Sequence, residues 1–242
     1  FRFHADAIDL NYLSSDAFKE EGKGLRGSIM LVGPLLTRFG QGSIPRPGGD
    51  KIGRRRLDTH FEGLILLGAK FEYQKEDRFY AVRADQLEGA EILLDEASVT
   101  GTANLVMAAI LAKGTTTIYN AACEPYLQQL CAMLNRMGAN IKGIGSNLLT
   151  ITGVENLKGT EHTLFPDMVE VGSWIGLAAM TRSKLKIKDV SWDNLGQIPD
   201  VFRKLGITIK RDEDDILIPE HPNGYSVSNY IDGSILTISD AP

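Results

Sequence analysis

A short basic segment contains the residues best suited to chemistry. The run RPGGDKIGRRRLD begins at Arg46, and within residues 46–56 it holds five cations and a single carboxylate, Asp50. The chain as a whole has a net charge of −5. A basic island in an acidic protein favours a small polyanionic ligand, because nucleic-acid binding normally requires a basic surface over a whole face. Three glycines in this run let the backbone approach a ligand closely. The segment therefore predicts a phosphate-binding loop, with a solvated basic loop as the alternative.

The composition is that of an ordinary globular protein. The chain has 242 residues, of which 43% are hydrophobic, which excludes disorder and collagen-like structure and suits one large domain or two small ones. The longest uncharged run, 97–112, is shorter than the ~20 apolar residues that span a bilayer. Cys123 and Cys131 match neither a zinc pair nor a disulfide framework, which predicts buried thiols in a reducing compartment.

The two ends of the chain suggest a piece of a larger protein. The sequence begins without methionine at Phe1 and stops at Pro242 directly after a strand-like run. We therefore expect a fragment.

An internal repeat predicts the fold. A helical stretch ends at Gly68, Gly138 and Gly206, at spacings of 70 and 68 residues, and glycine is the commonest helix C-cap. After each glycine, alternating apolar residues predict a strand pair, at 71–73 with 79–82, 141 with 148–151, and 207–209 with 216–218. Upstream helices are predicted at 28–39, 102–113 and 171–181, with short strands after them at 116–119 and 185–187.

These upstream helices are apolar nearly all round, so they should be buried. Each repeat then has the order α-β-α-β-β, which predicts a closed, three-fold pseudo-symmetric α/β domain with helices inside and sheets outside. A solenoid is the alternative, but its usual period of ~20–50 residues is shorter.

The sequence resembles a known family. The run RGSIMLVGPLLTRFGQGSIPRPGGDKIGRRRLDTH at 26–60 is similar to the UDP-N-acetylglucosamine enolpyruvyl transferases, and the likeness continues through 95–125 and 166–180. The resemblance implies an inside-out α/β barrel built from repeated β-α-β-α-β-β units. It also implies transfer of the enolpyruvyl group of phosphoenolpyruvate to the 3-hydroxyl of UDP-N-acetylglucosamine, with release of phosphate. This is the first committed step of bacterial peptidoglycan synthesis, carried out in the cytoplasm without a cofactor, a metal, nucleic acid or a membrane.

The resemblance also implies roles for individual residues. Asp50 falls where most members carry a loop cysteine and some carry aspartate, a position similar to the general acid. Arg55 matches a phosphate-binding arginine and is the second implied catalytic residue. The implied substrate-binding residues are Arg26, Arg55, Arg56, Leu57, Asp58, Thr59, Ser98 and Val99.

Several positions depart from the family pattern. Arg56 stands where proline is usual, and Glu96 stands where lysine is common and would repel a diphosphate. Cys123 replaces a frequent arginine and is interpreted as a packed thiol, since no histidine lies nearby in sequence. His60 follows Asp58 by two residues and either touches ligand or packs in the interior.

Three segments are predicted. Residues 1–23 form a partial first repeat or connector, 24–165 form two repeats of the loop-bearing domain, and 166–242 begin an incomplete second domain that should expose apolar helix surface. By resemblance, a catalytic lysine lies upstream of residue 1, and further site residues lie beyond residue 242. We therefore expect half of a site.

Other functions remain open. A catalytically idle paralogue that binds sugar nucleotide is compatible with the departures at Asp50 and Arg56. A shikimate-type enolpyruvyl transferase is disfavoured because it lacks the pattern at 26–60. An RNA 3'-terminal phosphate cyclase would need a nucleophilic histidine, and none of the four histidines lies in a recognisable motif.

Overall fold

The computed structural model describes residues 1–5, 7–45, 57–74 and 79–227. A helix, α1 (Asp16–Gly24), precedes the repeats, and the Ser15 hydroxyl caps it by accepting a hydrogen bond from the Phe18 backbone N–H at 3.2 Å. The basic segment 46–56 lies outside the described residues.

Three repeats follow with the predicted order of elements. The first contains α2 (Val32–Phe39), β1 (Gln41–Pro45), α3 (Asp58–Leu66), β2 (Lys70–Gln74) and β3 (Phe79–Arg83). After β4 (Glu91–Leu93), the second contains α4 (Val99–Ala109), β5 (Thr115–Tyr119), α5 (Pro125–Arg136), β6 (Asn140–Lys142) and β7 (Leu148–Thr152). The third contains α6 (Met168–Thr181), β8 (Leu185–Ile187), α7 (Ile198–Lys204), β9 (Lys210–Asp212) and β10 (Asp215–Ile218).

The sheets confirm that the repeats are structural equivalents. Their strand orders are β1-β3-β2, β5-β7-β6 and β8-β10-β9, so the last strand of each repeat always lies between the other two and pairs antiparallel with both. β4, which the sequence pattern did not predict, adds a parallel strand beside β5, with Glu91 opposite Thr117. Because β4 precedes α4, the second repeat has the full β-α-β-α-β-β order.

The predicted glycine caps are confirmed. Gly68, Gly138 and Gly206 have φ values of 102°, 106° and 84°, in the region that glycine adopts without steric cost. The helix starts differ from prediction, because side-chain caps decide them. Ser98 and Asp167 accept hydrogen bonds from backbone N–H groups, so α4 and α6 each begin three residues before the predicted position.

The predicted helix 28–39 is instead a 3₁₀ turn, Arg26–Leu31, followed by α2. Pro34 lies in the first turn of α2, where its missing N–H costs no intrahelical hydrogen bond. The strand predicted at 207–209 was wrong, since β9 pairs with β10 only over 210–212. The Thr208 N–H instead donates to Nε2 of buried His221 at 3.0 Å.

α4 is the centre of the first compact unit, which comprises residues 1–123 and 130–161. Eight of its eleven residues are buried, as its all-round apolar sequence predicts. Two glycines let its neighbours approach closely. A Cβ on Gly33 of α2 would lie 2.5 Å from the Asn104 carbonyl oxygen, and a Cβ on Gly63 of α3 would lie 2.5 Å from Leu105 Cδ1. No larger residue fits at either position without displacement.

The second compact unit comprises residues 124–129 and 162–242. Its core joins α6, α7 and the third sheet through buried apolar side chains, among them Val171, Ile175, Ile207 and Ile216. The other face of α6 is exposed, as expected for the segment after 166, with Met180 at 82% exposure. That this segment begins the second domain of a larger protein stays a prediction.

Two expectations from composition can be compared with the structure. No helix among the described residues is long and apolar enough to cross a membrane. Cys131 is buried, as predicted, and burial raises the pKa of its thiol to about 11. Cys123 is only half-buried, so the expectation of two buried thiols holds for one of them.

Candidate functional site

The candidate site forms where the first turns of α3 and α4 lie side by side. The Thr59 hydroxyl in α3 donates to Oδ1 of Asp95, just before α4, at 2.8 Å. A Cβ on Gly101 would lie 3.1 Å from Thr59 Cγ2, so glycine permits this close approach. Two segments that are 36 residues apart in sequence therefore present their polar starts together.

Hydrogen bonds fix the start of α4. The Ser98 hydroxyl accepts from the Gly101 N–H at 3.2 Å, which satisfies one of the free donors of the first turn. The Ser98 carbonyl accepts from the Thr102 hydroxyl at 2.7 Å, and the same hydroxyl accepts from the Ala122 N–H at 3.0 Å. Ser98 is thus held through both its hydroxyl and its carbonyl oxygen.

A buried polar network lies directly behind these helix starts. His60 is 2% exposed, and its Nδ1 and Nε2 atoms lie 3.1 Å from Asn104 Nδ2 and 3.3 Å from Thr100 Oγ1, respectively. Burial, together with the positive charge of Arg26, lowers the pKa of His60 to about 4. His60 is therefore neutral at physiological pH, and Arg26 is close enough for its charge to act on the ring.

The structure brings together six of the predicted site residues. Arg26 begins the 3₁₀ turn before α2 and is half-buried, and Leu57 immediately precedes α3. The remaining four lie in the first turns or caps of α3 and α4, namely Asp58, Thr59, Ser98 and Val99. Thr59 is buried, whereas the other three are half-buried. Asp50, Arg55 and Arg56 lie outside the described residues, and their predicted roles stay predictions.

The departures from the family pattern have distinct surroundings. Glu96 is exposed, and its backbone carbonyl accepts from the Ser98 N–H at 2.8 Å. Of the two interpretations of His60, the structure supports an interior position. Cys123 lies just after the Ala122 amide that bonds to Thr102, and is partly accessible.

Sequence reasoning missed three residues of this region. Asp95 holds Thr59, Thr100 contacts His60, and Asn104 forms the centre of the buried network. Asn104 carries the one signal that could have been used, an amide in the middle of an apolar helix. A buried amide must find hydrogen-bond partners, although the sequence does not say which.

The arrangement is suited to binding a polar ligand rich in hydrogen-bond acceptors. The guanidinium of Arg26 and the hydroxyls of Ser98 and Thr100 lie within one region, beside the carboxylates of Asp58 and Asp95. Over the described ranges, no group of three or more histidine, cysteine, aspartate or glutamate side chains is placed to hold a metal ion.

Comparison with known proteins decides the family. A family model described as EPSP synthase (3-phosphoshikimate 1-carboxyvinyltransferase) matches residues 12–241. The chain belongs to the EPSP synthase family. The resemblance found from the sequence is confirmed, and with it the α/β enolpyruvyl transferase fold built from repeated units.

Within this family, three similar relatives carry the same name. The chain is 62% identical over 242 residues to a UDP-N-acetylglucosamine 1-carboxyvinyltransferase of Bacteroides thetaiotaomicron, covering 100% of this chain and 56% of the relative. It is 58% identical to the protein of that name from Porphyromonas gingivalis, covering 99% and 55%. A third relative so named, from Treponema denticola, is 51% identical over 90% of the chain and 50% of its own length. The chain thus spans about half the length of the curated relatives it matches.

Solved structures of the family share the fold at low sequence identity. The enolpyruvyl transferase NikO from Streptomyces tendae superposes with a TM-score of 0.69 at 16% identity, over 86% of this chain and 49% of its own. An EPSP synthase from Acinetobacter baumannii gives a TM-score of 0.57 at 19% identity, over 81% and 45%. At these identities the likeness concerns the fold alone.

Proposed function

We propose that the protein transfers the enolpyruvyl group of phosphoenolpyruvate to the 3-hydroxyl of UDP-N-acetylglucosamine and releases phosphate. The observation that supports this most strongly is 62% identity over the whole chain to a relative named for that activity. The described site is compatible with it, because Arg26, Thr59 and Ser98 lie together on helix starts fixed by hydrogen bonds. The activity belongs to the first committed step of peptidoglycan synthesis, and hence to the bacterial cytoplasm.

The proposed binding of the sugar nucleotide uses both the described and the basic parts of the site. Arg26, Arg55 and Arg56 supply positive charge for the diphosphate, since guanidinium groups form strong charge-assisted hydrogen bonds with phosphate oxygens. Leu57, Asp58 and Thr59 line the uridine pocket, and Ser98 and Val99 contact the diphosphate and uridine. Only small-molecule partners are proposed.

The chemical difficulty is to protonate the methylene carbon of phosphoenolpyruvate and to stabilise the cationic carbon that results. Asp50 is proposed to deliver this proton. The five cations of the basic segment favour the ionised carboxylate, whereas donation requires the acid form. Bound phosphates neutralise those cations and closure of the site excludes water, so we infer that Asp50 becomes protonated only in the complex with both substrates.

Measured phosphate release by the full-length protein tests the proposal. Asp50→Asn keeps the size of the side chain but cannot donate an acidic proton, so turnover should be abolished. The matched control is Asp85→Asn, which changes an exposed carboxylate 3.8 Å from the Lys70 ammonium and should leave turnover unchanged. Wild-type protein that binds both substrates without releasing phosphate would identify a catalytically idle paralogue. Turnover with shikimate 3-phosphate as acceptor would identify another transferase of the same fold.

Calorimetry tests the phosphate-binding role of Arg55. Arg55→Ala should weaken binding of UDP-N-acetylglucosamine by about 1.5–3 kcal/mol, the contribution of a hydrogen bond to a charged group. Arg83→Ala removes an exposed arginine at the end of β3 and serves as the control. Equal affinity of Arg55→Ala and wild type would contradict the assignment.

The epoxide antibiotic fosfomycin tests the identity of the loop acid. It alkylates the loop cysteine of other members, and a carboxylate is a much weaker nucleophile than a thiolate, so the full-length protein should be resistant yet active. Asp50→Cys should restore time-dependent covalent inactivation and move the activity optimum to higher pH, because the reference pKa of cysteine, ~8.5, exceeds that of aspartate, ~3.9. Drug attached to Asp50 in the mass spectrum would overturn the assignment.

A further inference from the structure

The side-chain amide of Asn104 is fixed by three partners. Its Oδ1 accepts from the Gly33 backbone N–H at 2.8 Å, and its Nδ2 donates to the Ile29 carbonyl at 3.0 Å and faces His60 Nδ1 at 3.1 Å. A backbone N–H can only donate and a carbonyl can only accept. The two backbone partners therefore allow one orientation of this amide, since the flipped orientation would place donor against donor and acceptor against acceptor.

This orientation determines the tautomer of His60. Both Nδ2 protons of Asn104 are used, one toward Ile29 and one toward the ring, so Nδ1 of His60 must accept. A neutral imidazole carries one proton, and that proton must then be on Nε2. The ring is almost fully buried and its pKa is lowered to about 4, which agrees with a neutral ring that has one donor and one acceptor.

The Nε2 proton is directed at the hydroxyl of Thr100. The distance from Nε2 to Thr100 Oγ1 is 3.3 Å, and Thr100 is exposed in the first turn of α4, directly after Val99. Because the oxygen of Thr100 accepts from His60, its own proton is available for another partner. Among the residues that the structure describes, His60 is the one hydrogen-bond partner of the Thr100 hydroxyl.

We propose that Asn104 and His60 are positioning residues that hold the Thr100 hydroxyl as a hydrogen-bond donor to a phosphoryl oxygen of the bound substrate. In this series of hydrogen bonds each group donates to the next one toward the surface. The Asn104 amide donates to His60, His60 donates to Thr100, and Thr100 donates to the ligand. Phosphoryl oxygens only accept, so they match the outer end of this series. The inference rests on the proposed function, in which UDP-N-acetylglucosamine and phosphoenolpyruvate both carry such oxygens.

The tautomer can be measured without any substrate. In the full-length protein labelled with ¹⁵N-histidine, long-range ¹H–¹⁵N spectra should show His60 neutral at pH 7 and protonated at Nε2. His60→Gln identifies the resonance, because the signal that disappears in this variant belongs to His60. A proton on Nδ1 would overturn the proposal, whatever the activity of the protein.

The hydroxyl is tested by calorimetry with each substrate separately. Thr100→Val removes the hydroxyl at nearly constant shape and should weaken binding of one of the two substrates about tenfold, as expected for one hydrogen bond to a charged acceptor. Thr100→Ser keeps the hydroxyl and should stay within about threefold of wild type. Thr115→Val, which alters an exposed threonine on β5, is the control. In turnover, Thr100→Val should raise KM for the affected substrate with kcat nearly unchanged.

A double-mutant cycle tests whether Asn104 acts through Thr100. Asn104→Ala should weaken binding in the wild-type background and have little further effect in the Thr100→Val background, whereas a merely structural role would give additive losses. If Asn104→Ala does not fold, the measured tautomer of His60 and the affinities of the Thr100 variants still test the proposal. If Thr100→Val binds both substrates with unchanged affinity while Arg26→Ala binds more weakly, the role of the Thr100 hydroxyl is refuted and the proposed function is not. No binding of either substrate by wild type would instead refute the proposed function, and this ligand assignment with it.

Discussion

Helices α4 and α6 occupy the same place in successive repeats, and both have sequences that are apolar nearly all round. α4 is packed against α2 and α3, and eight of its eleven residues are buried. In α6 only four of fourteen are buried, and Trp174, Leu177 and Met180 are 46%, 48% and 82% exposed. The comparison shows that an apolar helix is buried only where neighbouring elements cover it, whatever its place in the repeat.

The two helices also differ in what they bury. The buried residues of α6 are all apolar, whereas α4 buries Thr102 and Asn104 completely. These two buried side chains form hydrogen bonds to the segments around them, including Ala122, Ile29 and Gly33. Buried polar groups cost free energy unless they are paired, which explains why these side chains have hydrogen-bond partners. They lie in the part of α4 that positions the candidate site.

The largest expected difference between the two helices concerns leucine packing. Leu105→Ala in α4 removes a side chain with 0% exposure and should lower the free energy of unfolding by about 2–5 kcal/mol, because a cavity remains. Leu177→Ala in α6 should cost below about 1 kcal/mol, since the side chain is half exposed. Urea unfolding of both variants measures the contrast, and equal losses would show that the exposed face of α6 is covered in solution.

The buried histidine should make stability depend on pH. The folded pKa of His60, about 4, is below its ordinary value of 6.5, so the folded state binds fewer protons. Its contribution is therefore complete above pH 6.5 and is lost as the pH falls toward 4, by on the order of 3 kcal/mol. Urea unfolding at several pH values should show this loss in wild type and a flatter profile in His60→Gln. Parallel profiles of the two proteins would contradict the shifted pKa.

Two glycines give a matched test of helix packing. Gly33→Ala should destabilise the protein by about 1–3 kcal/mol, because its Cβ would collide with backbone and side-chain oxygens of Asn104. Gly176→Ala in α6 meets nothing within 4 Å and should stabilise by up to about 1 kcal/mol, through helix propensity alone. Thermal unfolding should therefore show a lower melting temperature than wild type for Gly33→Ala and a higher one for Gly176→Ala. A destabilising Gly176→Ala would mean that α6 has a close neighbour in solution.

The smallest effects concern the two N-caps. Ser98 and Asp167 cap α4 and α6, and replacing either with alanine should cost about 1 kcal/mol of stability. Only Ser98→Ala should also weaken binding of UDP-N-acetylglucosamine, because Ser98 lies in the candidate site. If both variants bind the sugar nucleotide with equal affinity, Ser98 caps α4 without contacting the ligand.

The sequence predicted features that depend on local pattern. Glycine spacing revealed the repeats, alternation revealed most strands, and the resemblance revealed the residues that gather at the starts of α3 and α4. Prediction failed where a distant side chain decides the outcome. His221 accepts a hydrogen bond from the Thr208 N–H, which would otherwise have extended β9. β4 has only three residues and is too short to show an alternating pattern. The partners of Asn104 lie 44 to 75 residues away in the chain, a separation that no periodicity reports.

The hydrogen bond from Gly33 to Asn104 also has a consequence for the order of folding. The Gly33 N–H is one of the donors that an isolated α2 would leave unsatisfied, and its acceptor is 71 residues further along the chain. A hairpin such as β2–β3 can form from local contacts, but the start of α2 is complete only after α4 has docked, which requires closure of a long loop. The Gly33 amide should therefore acquire protection from hydrogen exchange late during refolding, together with the α2–α4 contact.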